Sequence, residues 1–275
     1  MASEVSLLGT TGSPWEGEGY VTRTRRHSFR VHSSGAYVNI RAMTDIPAAF
    51  LMALQLIVTL DPQLAGIVGR SLYVSLSAVA IAAAIGLPLG AAIAVYRFPG
   101  RRAVIVLLNG LMALPAVFIG LTVYLLVSRA GPLGFLGILF TPAAMILAQC
   151  LLITPIIAAL SHQVLRALYE IYREQLCSLG ARPRQIVWTL LWDGRFGLTT
   201  VVMAGFGRAV AEVGAAIIVG GNIDRVTRVM TTTIALETSK GNLALALALG
   251  FVLVLVAVGV NACASLLSNA TAPRG

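Results

Sequence analysis

The chain has 275 residues, 57% of them hydrophobic and only 11% charged, with a mean hydropathy of +0.86. Soluble domains carry about 25% charged residues, so this composition excludes a soluble globular protein and indicates an integral membrane one. The net charge of +9 is scattered between apolar runs and forms no single basic surface, which argues against a nucleic-acid partner and reads as a topology signal.

Residues 1–42 are polar, carry five arginines and lack the apolar core of a signal peptide. They are expected to be a disordered or non-native extension, with translation starting at Met43. Residues 43–66 then read as an amphipathic helix at the membrane interface. The apolar stretch 46–60 reaches only about 22 Å against a hydrocarbon core of about 30 Å, and Asp61-Pro62 ends it. A sixth crossing by this stretch stays open.

Residues 71–96, 103–128, 130–161 and 241–273 contain no Asp, Glu, Lys or Arg, and 196–220 is interrupted only by Arg208 and Glu212. A crossing needs about 20 apolar residues. The prediction is an all-α polytopic bundle with about five spans, at 68–96, 103–127, 138–160, 198–220 and 242–267, in a transmembrane domain over 67–268 with a cytoplasmic tail at 269–275. Pro88, Pro115, Pro142 and Pro155 suggest kinks. If the gaps at 96–102 and 162–195 face the cytoplasm, nine basic residues lie inside, the C-terminus included. Arg70, Arg129, Arg225, Arg228 and Lys240 lie outside, the expected bias. Counting the arginines of 1–42 as outside reverses it, which is why those residues are set apart. Cys150, Cys177 and Cys263 show no disulfide or metal spacing, and at least two are expected to be buried packing residues.

The charged segment 162–195 interrupts the apolar pattern. Leu165, Leu168, Tyr172, Leu176 and Leu179 recur every three or four positions, with Arg166, Glu170, Arg173 and Glu174 between them, the pattern of an amphipathic helix. Gly180 stands where a left-handed cap ends a helix, and Pro183 where a new one begins. The sequence thus encodes two short helices meeting at a sharp bend. A solvated connecting loop is the plainer alternative.

Here the residues resemble a family. Glu174, Gln175, Leu176 and Gly180 are similar to the EAA-x3-G signature of type I ABC-importer permeases of the molybdate/methionine-permease-like fold, in which this segment is a coupling helix docked on the ATP-binding subunit. Gln175 and Leu176 replace two alanines, and the family's downstream Leu-Pro is missing at Trp192-Asp193. The run FGRAVAEVGAAIIVGGN, 206–222, resembles the fourth-span signature of molybdate, tungstate and sulfate permeases, and 224–250 looks most like the tungstate branch. The resemblance implies ATPase-coupling roles for Glu174, Gln175, Leu176, Gly180, Ala181, Arg182 and Pro183. It also implies two ATP-binding cassette subunits, an extracytoplasmic oxyanion-binding protein, a second copy of this chain in the cell membrane, and no cofactor.

The only lysine, Lys240, follows Ser239, so a phosphate-binding loop of the form GxxxxGK[ST] is impossible. Any ATP used is bound by another subunit, and the chain itself is expected to be no enzyme. Arg208 and Glu212 stand four apart in an apolar run, where unpaired charges are costly, so they should pair. They either orient the span or, with Gly220, Gly221 and Asn222, line or gate the path. Thr227, Thr231, Thr232 and Thr233 either offer hydroxyls to an anion or cap a helix. No catalytic or metal-ligating constellation stands out. A secondary transporter driven by an ion gradient, and an ABC permease for another small solute, are the alternatives.

Overall fold

A computed structural model describes residues 62–271 of the chain. The segment 1–42, the Met43 start and most of the 43–66 interfacial helix lie outside the described residues, as do residues 272–275. The described residues form nine α-helices and one short 3-10 turn at Gly134–Leu136, with no strand among them. The α-helices are α1 Pro62–Val95, α2 Arg101–Met112, α3 Ala116–Val127, α4 Pro142–Ser178, α5 Pro183–Asp193, α6 Arg195–Val210, α7 Gly214–Gly220, α8 Met230–Ser239 and α9 Leu243–Thr271.

Three helices are long and apolar enough to cross a membrane singly, within α1, α4 and α9. The bent pairs α2–α3 and α6–α7 bring the number to five if each pair is one crossing. The apolar block 103–127 is therefore not one unbroken helix. It turns by 100° at Ala113–Pro115, where Pro115 is the extended residue before α3. The block 198–220 turns by 58° between Val210 and Gly214. Pro88 and Pro155 stand inside α1 and α4, and Pro142 opens α4.

The core forms where α1 lies along α4. Lipid tails are as apolar as leucine, so such helices associate through close packing and not through exclusion of water. Small residues permit the approach: a methyl group on Gly90 would overlap the Ser161 hydroxyl and lie 2.6 Å from the Ala158 carbonyl oxygen. Further along, Ala78 and Ala82 of α1, Ile153 and Ile157 of α4 and Phe206 of α6 make one cluster, all of them shielded from solvent. The Ser161 hydroxyl donates to the Gly86 carbonyl at 3.3 Å, so the polar atom in this seam is satisfied.

Only one cysteine is a core residue. Cys150 is buried with its thiol 3.5 Å from the Ala78 carbonyl. Cys177 and Cys263 are exposed, contrary to the expectation of two buried ones, because Cys177 lies on the outer face of α4 and Cys263 on the sparsely covered end of α9.

Candidate functional site

Two regions hold the residues singled out in the sequence. The first is the bend at 174–185. It does not join two short helices, because its first limb is the end of the 37-residue α4, about 55 Å long at 1.5 Å per residue. Span and amphipathic segment are one rod. Ala181 N–H donates to the Leu176 carbonyl and Gly180 N–H to the Cys177 carbonyl, each at 3.0 Å. That pair of bonds is the Schellman closure of a helix end. It needs a left-handed residue, and Gly180 has φ +67°.

The next helix starts at once. Arg182 is extended, Pro183 is the first helical residue, and the Gln185 side chain accepts the Arg182 N–H at 2.8 Å. Behind the bend, Leu165, Tyr169, Ile186, Leu190 and Leu198 form a buried cluster with Ala91, Ala94 and Val95 of α1, and Leu176 and Ala181 pack against it. Glu174, Gln175, Gly180, Arg182 and Pro183 are exposed. The bend is a fixed, braced projection.

Leu179 departs from its expected face. Its spacing puts it with Leu176, yet it is 81% exposed. It is the cap residue of α4, with φ −80° and ψ 0°, so the chain is already unwinding and turns the side chain outward. Its position directly before Gly180 was the one available signal. Tyr169, buried in the cluster, also escaped the periodicity reading.

The second region is the break between α6 and α7. Arg208 donates to Glu212 Oε2 at 2.6 Å. Glu212 lies beyond the end of α6, and its side chain is only 3% exposed against 35% for Arg208. Its other oxygen, Oε1, accepts the Ala215 N–H at 3.0 Å, and its backbone carbonyl accepts the Thr231 hydroxyl at 2.8 Å. One carboxylate thus joins both half-helices, and its backbone ties them to α8. From Arg195 to Arg208 is about 20 Å along α6, so the break lies well inside the bundle.

Gly220, Gly221 and Asn222 lie one short helix away and are not joined to Arg208. The Gly220 carbonyl accepts the Thr227 hydroxyl at 2.6 Å, and Asn222 Oδ1 accepts the Thr232 hydroxyl at 2.9 Å. Thr232 also accepts the Val229 N–H at 3.2 Å, and the Thr233 hydroxyl donates to the Val229 carbonyl at 2.7 Å. All four threonines therefore have partners within the protein and are buried. Thr232 and Thr233 cap α8, Thr227 closes the turn after α7, and Thr231 ties α8 to the break. No group of three or more potential metal ligands occurs among the described residues.

Midway along α4 stands His162, whose Nε2 is 3.4 Å from an Arg101 nitrogen at the start of α2. Arg101 donates to the Ile93 carbonyl at 2.7 Å, so these residues knit the connection between α1 and α2 and offer no acid–base pair.

No protein-family model matches the chain. Individual relatives do. The chain is 38% identical over 216 residues to a "Probable anion ABC transporter permease protein" of Haloferax volcanii, covering 77% of this chain and 93% of that protein. It is 40% identical over 200 residues to the "Tungstate uptake system permease protein TupB" of Peptoclostridium acidaminophilum, covering 73% and 88%. It is also 30% identical over 164 residues to a "Probable sulfate transport system permease protein cysT" of Zygnema circumcarinatum, covering 57% of each.

Proposed function

The chain belongs to the oxyanion permeases of ABC importers, and we propose that it carries tungstate first, molybdate or sulfate second, across the cell membrane. ATP is hydrolysed by a separate cassette subunit, in keeping with the lack of a phosphate-binding lysine. Two such subunits engage two copies of this chain, and an extracytoplasmic binding protein delivers the anion. The bend at 174–183 and the C-terminus face the cytoplasm.

The observation that carries the coupling assignment is the exposed Leu179–Gly180 bend at the end of an unbroken α4. A partner that seats Leu179 and contacts Glu174, Gln175 and Arg182 moves a rod that reaches through the bilayer. Leu176, Ala181 and Pro183 hold the bend's shape. Closure and opening of the cassettes then become tilting of α4 against α1, a shear between packed helices. The break at Arg208 and Glu212, with Gly220, Gly221 and Asn222, lines or gates the path, and because no continuous backbone ladder spans it, its angle is set by the Glu212 side-chain bonds.

A carrier coupled to protons through side chains uses a buried carboxylate free to bind the proton. Both oxygens of Glu212 are engaged, and Glu237 pairs with Lys240 at 2.9 Å. This observation favours the ATP-driven reading. The deciding experiment reconstitutes the chain with its cassette and binding proteins in liposomes and follows tungstate uptake. Uptake is expected only with ATP inside the liposome compartment facing the cassettes. Uptake driven by an ion gradient without ATP overturns the proposal.

A further inference from the structure

Three of the five basic residues that the charge balance assigns to the outside, Arg70, Arg225 and Arg228, line one cavity of about 420 Å³. It lies at the end of the bundle opposite the bend. Arg70 is about 37 Å along α1 from Val95, which packs in the cluster behind the bend. Asp224, Thr233 and Glu237 also line it.

The charges here do not cancel. Arg228 pairs with Asp224 at 3.0 Å, and Glu237 is taken by Lys240 at 2.9 Å. Arg70 donates to the Arg228 carbonyl at 3.2 Å and the Arg225 carbonyl at 3.5 Å. Those acceptors are neutral, so they fix the guanidinium without neutralising it. The Arg225 side chain has no ion pair among the described residues, and Arg228 Nε is shielded from solvent with no acceptor among them. Among the described residues, two cations without a carboxylate partner and one buried donor without an acceptor thus surround one hollow.

We propose that this cavity is a receiving site for a tetrahedral oxyanion dianion, held by Arg70, Arg225 and Arg228 before it passes the Gly220–Asn222 turn. The proposal rests on the reading of the chain as an oxyanion permease and adds the site that the anion meets first. Two uncompensated guanidinium groups match two negative charges, and planar N–H forks suit oxyanion edges. A volume of about 420 Å³, against about 30 Å³ for one water, leaves room for water beside the anion. The loop that supplies Arg225 and Arg228 directly follows the turn at Gly221 and Asn222, both with positive φ, so occupancy of the cavity bears on the candidate gate.

The test is equilibrium dialysis of tungstate against the intact permease–cassette complex in nanodiscs of uncharged lipid, without binding protein. Wild type is expected to bind tungstate, with molybdate or sulfate competing. Arg225→Gln, whose side chain supports nothing else among the described residues, is expected to bind about tenfold more weakly, the loss of one charged hydrogen-bond partner. Asp224→Asn is expected to bind more tightly, because it removes the competing carboxylate from Arg228. A merely structural Arg228–Asp224 pair predicts the opposite sign, so this variant decides the matter even if Arg225→Gln folds poorly. Wild type binding no more than Arg225→Gln, or Asp224→Asn weakening binding, overturns the site. Tungstate uptake by the complete transporter is measured alongside: uptake without cavity binding defeats the site alone, and absence of any oxyanion uptake defeats the permease reading itself.

Discussion

Arg208 and Glu212 form an ion pair of 2.6 Å across the end of a helix, and the same carboxylate accepts an N–H from the first turn of the next helix, at Ala215. Removing Arg208 leaves a carboxylate of 3% exposure with one hydrogen-bond donor fewer. Because the arginine itself is one-third exposed, the expected cost of Arg208→Ala is near the low end for broken buried pairs, about 3 kcal/mol. Glu212→Gln loses the charge and one of the two acceptor oxygens, but its remaining carbonyl still accepts the Ala215 N–H and no unpaired buried carboxylate is left behind, so it should cost less. Thermal unfolding of the purified variants in detergent checks the order, Arg208→Ala below Glu212→Gln below wild type. An Arg208→Ala variant as stable as wild type would refute the pairing.

Gly90 and Gly69 stand on the same helix and should respond in opposite directions. A methyl group on Gly90 meets backbone at 2.6 Å and 2.8 Å, on Ala158 and His162 of α4, and backbone cannot step aside as a side chain can. Gly90→Ala is expected to destabilise by about 1–3 kcal/mol, the usual cost of overpacking. Among the described residues, nothing lies within 4 Å of a methyl group on Gly69. There, alanine's better helix propensity should stabilise by up to about 1 kcal/mol. Paired thermal shifts of the two variants settle the comparison.

The parts legible in the sequence are those fixed by local chemistry. Charge-free runs marked α1, α4 and α9, and the Gly180–Pro183 spacing marked a helix end and a helix start. The breaks were not legible. Pro115 suggests a kink, but the 100° angle depends on packing, including the contact of Gly214 with Val117. At the other break, the i,i+4 spacing of Arg208 and Glu212 reads equally well in a continuous helix. What ends α6 is tertiary: Thr231 takes the Glu212 carbonyl and Ala215 its side chain. Likewise Arg70 and Arg228 are 158 residues apart in the chain, and no periodicity brings them to one cavity.

Glu237 gives a pH signature between the spans. The Lys240 ammonium donates to its carboxylate and holds the carboxyl below its ordinary value, with Asn242 helping and burial opposing. A carboxyl depressed in the folded state adds stability above its unfolded value, about 4.3, and loses it as pH falls through the lower folded value. Glu237→Gln is therefore expected to melt lower than wild type at pH 7, with the gap closing below about pH 4. A gap independent of pH would mean that the side chain acts by shape alone.

The bend supplies the sharpest functional prediction, because its parts separate cleanly. Glu174 is exposed, so Glu174→Ala should leave the fold untouched and lower only contact with the cassette. Gly180→Val forces a β-branched residue to φ +67°, a conformation costing about 1–2 kcal/mol, and should swing the bend away from its docked direction. Leu179→Asp tests the outward side chain. Seating a leucine is worth about 1.5–3 kcal/mol, so its loss should weaken docking by about tenfold or more. All three variants are expected to insert in the membrane at wild-type levels while tungstate uptake per ATP hydrolysed falls. The readout is uptake and ATP hydrolysis measured on the same proteoliposomes. A bulky residue at Gly180 or a carboxylate at Leu179 that preserves the wild-type ratio would show that force enters the permease elsewhere.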